Sequence, residues 1–194
     1  MSNVKRQFDH IFKVISNESF LNKESLGGEI PFFIAPYPAK EEIKVREEIR
    51  MLKNKLSGKG IAVLEINLYD LVCEILDEEY DGGIKELIEL ERDLDAEQFL
   101  NALQSVLNIE EVLLPKIKEL IDQSEVKIYF LTGIGLVFPI VRSHNILNNL
   151  QTIAKDAPTL TFFPGEYNGH SLNLFDLFKD DNYYRAFNID KIEV

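Results

Sequence analysis

Four short apolar segments constrain the fold of this 194-residue chain more than any other feature. The clearest, residues 30–35, is an uninterrupted apolar run closed by prolines. Such a run indicates a strand that is buried on both faces, as in a parallel sheet covered by helices. Similar segments at residues 61–66, 126–131 and 159–163 predict three more strands.

The segment between the first two predicted strands indicates how they are connected. From Ala39 to Leu56, apolar residues recur at helical spacing, which predicts a helix with one buried stripe. Strand, helix and strand with short links imply a right-handed parallel crossover. Further helices are predicted at 7–21 and 139–153, and a final strand at 183–189. The predicted fold is one α/β domain, 1–194, with a mainly parallel Rossmann-like sheet flanked by helices.

The middle of the chain, at about residues 68–124, carries four successive apolar stripes at helical spacing and is predicted to be a helical insertion. It is also strongly acidic. Residues 65–125 hold 18 Asp or Glu against 4 Lys or Arg, whereas the whole chain has a net charge of -12. A solvated face of acidic helices is the simplest interpretation, and its field repels phosphate backbones. No direct nucleic-acid partner is therefore expected.

Composition also bears on the compartment of the protein. Cys73 is the one cysteine, which excludes an internal disulfide framework and suits a reducing compartment. The amino terminus shows no secretory signal, and the apolar runs are shorter than the roughly 20 residues that span a bilayer. We expect a cytoplasmic protein that does not enter membranes.

The best candidate for a ligand loop follows the third predicted strand. Thr132, Gly133 and Gly135 lie between a strand and a helix, where exposed backbone N–H groups can bind an anion. The dinucleotide fingerprint is incomplete, because Phe138 stands where a third glycine is needed. Pro164 and Gly165, after the fourth predicted strand, form a second candidate loop. A tight structural turn remains the alternative.

Other chemistry finds little support in the residues. His10, His144 and His170 are scattered without metal-ligand spacing, and Cys73 lies on an apolar helical stripe. Asp180 and Asp181 form a pair of a kind that is common on surfaces. The sequence predicts no metal site, no cofactor and no complete catalytic motif.

Two aromatic-rich blocks, residues 162–169 and 179–187, suggest an interface. In a strand, Tyr183, Arg185 and Phe187 would share one face, and an arginine between aromatics is typical of binding hot spots. Exposed members of the blocks would bind a partner, whereas buried members would only pack. The candidates are Tyr167, Tyr183, Tyr184, Arg185 and Phe187.

Four segments together resemble the BrxB family, the small accessory proteins of BREX (bacteriophage exclusion) defence systems. They are Leu131-Thr132-Gly133-Ile134-Gly135, Leu147-Asn148-Asn149-Leu150-Gln151, Phe163-Pro164-Gly165-Glu166-Tyr167 and Asp181-Asn182-Tyr183-Tyr184-Arg185-Ala186-Phe187. The resemblance implies a multi-protein antiviral system that also contains a DNA methyltransferase, a large ATPase and PglZ.

The resemblance further implies a subunit without catalytic residues that associates with PglZ and other BREX components. A rival hypothesis is a degenerate nucleotide-binding or switch domain that uses Thr132 to Gly135 and Pro164 to Gly165. A third, direct DNA binding, is disfavoured by the charge balance.

Overall fold

The structure is a computed structural model that describes residues 3–23, 31–180 and 184–193. Within them, eight α-helices run in chain order: α1 Asn3–Ile15, α2 Glu18–Leu21, α3 Glu42–Ser57, α4 Leu68–Glu79, α5 Ile84–Asp93, α6 Ala96–Val106, α7 Leu114–Asp122 and α8 Ser143–Ile153. Seven strands lie at β1 Phe32–Tyr37, β2 Val63–Asn67, β3 Ile128–Thr132, β4 Thr159–Tyr167, β5 Leu172–Leu174, β6 Phe178–Asp180 and β7 Phe187–Asn188.

The sheet is mainly parallel, as predicted. Strands β2, β3, β4, β1 and β7 lie side by side in that order, and each pair of neighbours is parallel. Strands β5 and β6 extend it as antiparallel neighbours, since β5 pairs with the last three residues of β4 and β6 pairs with β5. The crossover from β1 to β2 therefore passes over two strands that are formed later in the chain. The predicted α/β fold with a sheet flanked by helices is confirmed.

Two hydrophobic cores explain why the parallel strands are so apolar. Phe162 of β4 lies in the core under α1 and α3, where its ring stacks on Phe8 at 5.6 Å, whereas its neighbour Phe163 lies in the opposite core under α4 to α8. Successive side chains of a strand point to opposite faces, so each of the strands β1 to β4 contributes to both cores. Burial on both faces is what the apolar runs indicated.

Helix α3 shows how sequence pattern becomes packing. Its buried residues are Val45, Ile49, Leu52 and Leu56, the stripe that predicted it. A short 3-10 turn, Ala39–Glu41, precedes the α-helix, so the α-helix itself begins three residues later than expected. Between β2 and β3, helices α4 to α7 form the acidic helical segment. None of the described helices is long and apolar enough to cross a bilayer.

Several predicted elements differ in extent. The helix predicted at 7–21 is divided into α1 and α2, because Asn17 caps a second, short helix. The helix predicted from residue 139 begins at Ser143, because the residues before it form turns such as the Val141 N–H to Val137 O hydrogen bond. The final strand is limited to Phe187–Asn188 among the described residues, and a 3-10 turn follows it directly. Strand β6 was not predicted.

Strand β4 also differs in extent, since it continues four residues beyond the predicted end. Pro164 and Gly165 were expected in a loop, but they lie inside the strand. The reason is the β4–β5 hairpin, in which Gly165 pairs with Leu174 and Tyr167 with Leu172. Long-range pairing thus overrides the turn tendency of Pro-Gly.

Candidate functional site

A cavity of about 560 Å³ lies at the carboxyl ends of the strands. The chain leaves β1 toward α3 on one face of the sheet and leaves β2 toward α4 on the other face. Diverging connections of this kind open the crevice in which open α/β sheets usually bind ligands. We call this space the strand-end cavity; α3, the ends of β1 to β3 and the first turn of α4 surround it.

Charged side chains of α3 form one wall of the strand-end cavity. Arg46 Nε donates to Glu42 Oε1 at 3.1 Å, and the hydroxyl of Tyr37 donates to the other Glu42 oxygen at 2.5 Å. Burial, followed by this hydrogen bond, raises the pKa of Tyr37 above its ordinary value. The hydroxyl therefore keeps its proton and remains a donor at neutral pH.

Glu65 of β2 and Thr132 of β3 belong to a second cluster of polar side chains in the same cavity. Lys53 of α3 bonds to Glu65 Oε2 at 2.5 Å, and Thr132 Oγ1 donates to Glu65 Oε1 at 3.0 Å. Both oxygens of this carboxylate thus have a partner. The acid neutralises one cation of the wall and is itself oriented by β3.

The opposite wall is the amino end of α4. Asn67 caps this helix, because its Oδ1 accepts from the backbone N–H groups of Tyr69 and Asp70 at 3.1 and 3.4 Å. A hydrogen bond with Cys73 raises the pKa of the exposed Tyr69 hydroxyl on this wall. These two backbone N–H groups are bonded to Asn67 and are therefore not available to an anion.

The predicted ligand loop is divided by the fold. Thr132 and Gly133 border the strand-end cavity, but Gly135 packs against Pro164 and the ring of Phe175. Gly165 borders a separate cavity of about 410 Å³ beside Tyr37 and Tyr167. The five candidate residues therefore do not form one loop site.

Gly133 itself is held by packing rather than left open. Its φ of +77° favours glycine, and a Cβ there would lie 2.5 Å from Asn67 Oδ1 and 3.0 Å from the Tyr69 backbone nitrogen. The backbone of Gly133 thus fits closely against the α4 cap. This is the tight structural turn that the sequence left open as an alternative.

The five predicted partner-binding residues also differ in how exposed they are. Tyr167 and Tyr184 are buried, with 5% and 1% of their surface exposed, so they do not meet the condition of exposure. Tyr183 lies outside the described residues. Arg185 is exposed, whereas Phe187 is half-buried and its ring lies 5.8 Å from that of Phe33.

Tyr167 explains what the buried tyrosines do. Its hydroxyl contacts the carbonyl oxygens of Tyr184 and Ala186 at 3.2 and 2.8 Å, and the Tyr184 backbone N–H donates to His170 O at 3.0 Å. These bonds tie the carboxyl-terminal segment to β4. The aromatic density of the two blocks is thus partly structural.

Sequence reasoning missed an exposed apolar surface next to these blocks. Leu177, at the tip of the β5–β6 hairpin, is 78% exposed, and Phe178 is 48% exposed. The rings of Phe138 and Phe178 lie 4.8 Å apart, and Phe138 and Phe175 meet edge to face at 6.1 Å. We call Leu136, Phe138, Phe175, Leu177 and Phe178 the apolar patch. The run Leu174-Phe175-Asp176-Leu177-Phe178 was the available signal, since a turn rarely carries so many large apolar residues.

The tip of this hairpin has an unusual backbone. Phe175 and Asp176 have φ values of 57° and 60°, in the left-handed region that bulky side chains rarely adopt. The Phe175 N–H bonds to Pro164 O at 2.8 Å, which helps to hold the conformation. Strain of this kind concentrates at functional sites.

Among the described residues, no group of three or more His, Cys, Asp or Glu side chains is arranged to hold a metal ion. The fold and its surfaces define an α/β domain with a Rossmann-like sheet, a polar cavity at the strand ends and an exposed apolar hairpin.

Comparison with known proteins identifies the family. The family model described as "BREX protein BrxB" matches residues 64–189. A "BREX protein BrxB" of Bacillus cereus (strain H3081.97) is 38% identical over 196 residues, which cover 98% of this chain and 100% of that protein. One from Escherichia coli O9:H4 (strain HS) is 30% identical over 175 residues, which cover 90% and 86%. The chain belongs to the BrxB family of BREX phage-defence proteins, which confirms the resemblance. No solved structure matches it significantly.

We expect Tyr167→Phe to lower the free energy of unfolding by about 1 to 3 kcal/mol, because the Ala186 carbonyl loses its donor, whereas the Tyr184 carbonyl keeps the Ala186 backbone N–H. Tyr80→Phe is the matched control, since the half-buried Tyr80 makes no hydrogen bond through its hydroxyl among the described residues. Urea denaturation of both variants measures the difference. Equal midpoints would show that the Tyr167 hydroxyl does not hold the carboxyl-terminal segment.

Gly133→Ala should destabilise the chain more than Gly60→Ala. Both glycines have φ near +75°, so both variants carry about 1 to 2 kcal/mol of backbone strain. Only Gly133 has neighbours that a Cβ would strike, whereas Gly60 has none within 4 Å. Thermal melts of the two variants measure the loss of stability, and equal decreases in melting temperature would refute the close fit of Gly133 to the α4 cap.

Proposed function

We propose that this chain is a noncatalytic interaction subunit of a BREX complex, that it acts in the cytoplasm and that it associates with a PglZ-like protein. Family membership supports the BREX assignment. The observation that carries the docking role is the apolar patch, which exposes leucine and phenylalanine side chains together at one hairpin.

The energetics of the apolar patch favour a protein partner. Burying a leucine or phenylalanine side chain contributes about 1.5 to 3 kcal/mol, so Leu177 and Phe178 alone supply a large share of a binding free energy. Large exposed apolar side chains grouped in one place are typical of interaction sites. Aromatic rings in mutual contact also lose little conformational freedom on binding.

Arg185 is proposed as a partner contact in addition to the apolar patch, and Tyr183 remains a predicted anchor. The Arg185 carbonyl accepts from Gln151 Nε2 at 3.1 Å, which holds the backbone while the side chain is exposed. Arginine is enriched in the core of protein interfaces. Tyr167 and Tyr184 support this surface from within instead of contacting the partner.

Leu177→Asp should reduce co-purification with the PglZ-like protein of the same BREX system by at least about tenfold, because a charge at the interface loses apolar burial and must be desolvated. Ile43→Asp on α3 is the matched control, since Ile43 is 75% exposed and lies outside the apolar patch. Full recovery of the partner by folded Leu177→Asp would contradict docking through the patch. Arg185→Ala and Tyr183→Ala, assayed in parallel, test the carboxyl-terminal block separately.

A second candidate function is a degenerate nucleotide-binding or switch domain. The position of the strand-end cavity favours it, because that is where α/β sheets of this kind usually hold nucleotides. Calorimetric titration of the whole chain with ATP, GTP, NAD and NADP tests it, and saturable heat is the expected result. Absence of heat with all four would contradict this candidate and leave docking unaffected.

A further inference from the structure

The strand-end cavity is lined by three cations of α3, one of which has no partner among the described residues. Arg46, Arg50 and Lys53 follow one another at intervals of four and three residues, so they lie on one face of α3 and line the cavity together. Like charges at i and i+4 destabilise a helix. Three acids, Glu42, Glu65 and Asp70, line the same cavity, so what distinguishes it is how these charges are paired.

The pairing of these cations shows which charge is left over. Glu42 is bonded to Arg46 and Tyr37, and Glu65 is bonded to Lys53 and Thr132, so both acids are already satisfied. Arg50, by contrast, has no hydrogen bond or ion pair among the described residues. Its guanidinium is the free cation of the cavity, with five N–H donors available.

Further hydrogen-bond donors line the strand-end cavity. The Asn67 carbonyl oxygen caps α4, which leaves the amide NH2 of that side chain without a protein partner among the described residues. Arg46 uses only its Nε in the ion pair with Glu42. The cavity is therefore richer in unused donors than in unused acceptors.

One acid opposes this arrangement. Asp70 also lines the cavity, and its carboxylate has no ion pair among the described residues. It lies in the first turn of α4, where the helix dipole offsets part of its charge. The Asp70 carboxylate should weaken the binding of an anion and strengthen the binding of a cation, so its removal distinguishes the two kinds of ligand.

We propose that the strand-end cavity binds a small phosphorylated anion, with Arg50 as its main ligand and with Arg46, Lys53 and the Asn67 amide as supporting donors. A guanidinium binds a phosphate through two parallel N–H···O bonds, which suits an arginine that has no partner in the fold. The inference rests on the second candidate function and not on partner docking. It assigns the binding to α3 instead of to the glycine loop.

Calorimetric titration of the whole chain with sodium pyrophosphate at low ionic strength tests the site. Pyrophosphate has no base or sugar, so it reports on the cations even where the nucleotide titration is silent. We expect saturable binding that Arg50→Gln weakens by at least about tenfold, as the loss of a charged hydrogen bond predicts. Arg92→Gln is the matched control, because Arg92 is exposed on α5, has no partner among the described residues and lies outside the cavity.

Asp70→Asn provides a change of opposite sign. Removal of a negative charge from the cavity wall should strengthen pyrophosphate binding severalfold. Weaker binding by Asp70→Asn would show that the site holds a positively charged group and would overturn the proposal. Absence of saturable heat, or equal losses in Arg50→Gln and Arg92→Gln, would overturn it as well, while co-purification with the PglZ-like protein is measured independently.

Discussion

The passage of β4 through Pro164 and Gly165 is the constraint on which the carboxyl-terminal third of the structure depends. The first part of β4 lies between β3 and β1 in the parallel sheet, and its last residues pair with β5 instead. A Cβ at Gly165 would lie 2.1 Å from the Asn173 carbonyl oxygen, so only glycine permits this close approach. Without that approach the hairpin could not return along β4. The apolar patch and the Tyr167 hydroxyl bonds would then have no support.

In the strand-end cavity, four of the six charged side chains have a structural partner: Glu42, Arg46, Lys53 and Glu65. Glu65 is a charged residue in an otherwise apolar strand, and it is tolerated because Lys53 and Thr132 occupy both its oxygens. Exposed ion pairs contribute little stability on their own. Their main effect here is geometric, since they fix the side chains that surround Arg50 and leave this one guanidinium unpaired.

Local pattern was sufficient for the parallel sheet but not for its extension. Runs such as Ile128 to Leu131 are buried on both faces, and such burial leaves a strong signal in composition. Strand β6 and the full length of β4 depend on pairing between residues that no periodicity reveals. The surroundings of the predicted loop residues also depend on tertiary packing. Glycines were expected to bind a ligand, yet Gly133 and Gly165 serve close packing, whereas Arg50 looked like an ordinary residue on the polar face of a helix.

The loop after β3 brings the two proposed surfaces within a few residues of each other. Thr132 and Gly133 border the strand-end cavity, while Gly135 packs on Phe175 and Leu136 belongs to the apolar patch. A change of state at either surface would therefore act on a segment that is in direct contact with the other. Coupling of this kind is reciprocal, so a partner that alters the affinity for the anion must have its own affinity altered by the same factor. In the proposed interaction role, the subunit would report occupancy of the cavity to its partner in this way, with Phe175 and its left-handed backbone as the contact between the two surfaces.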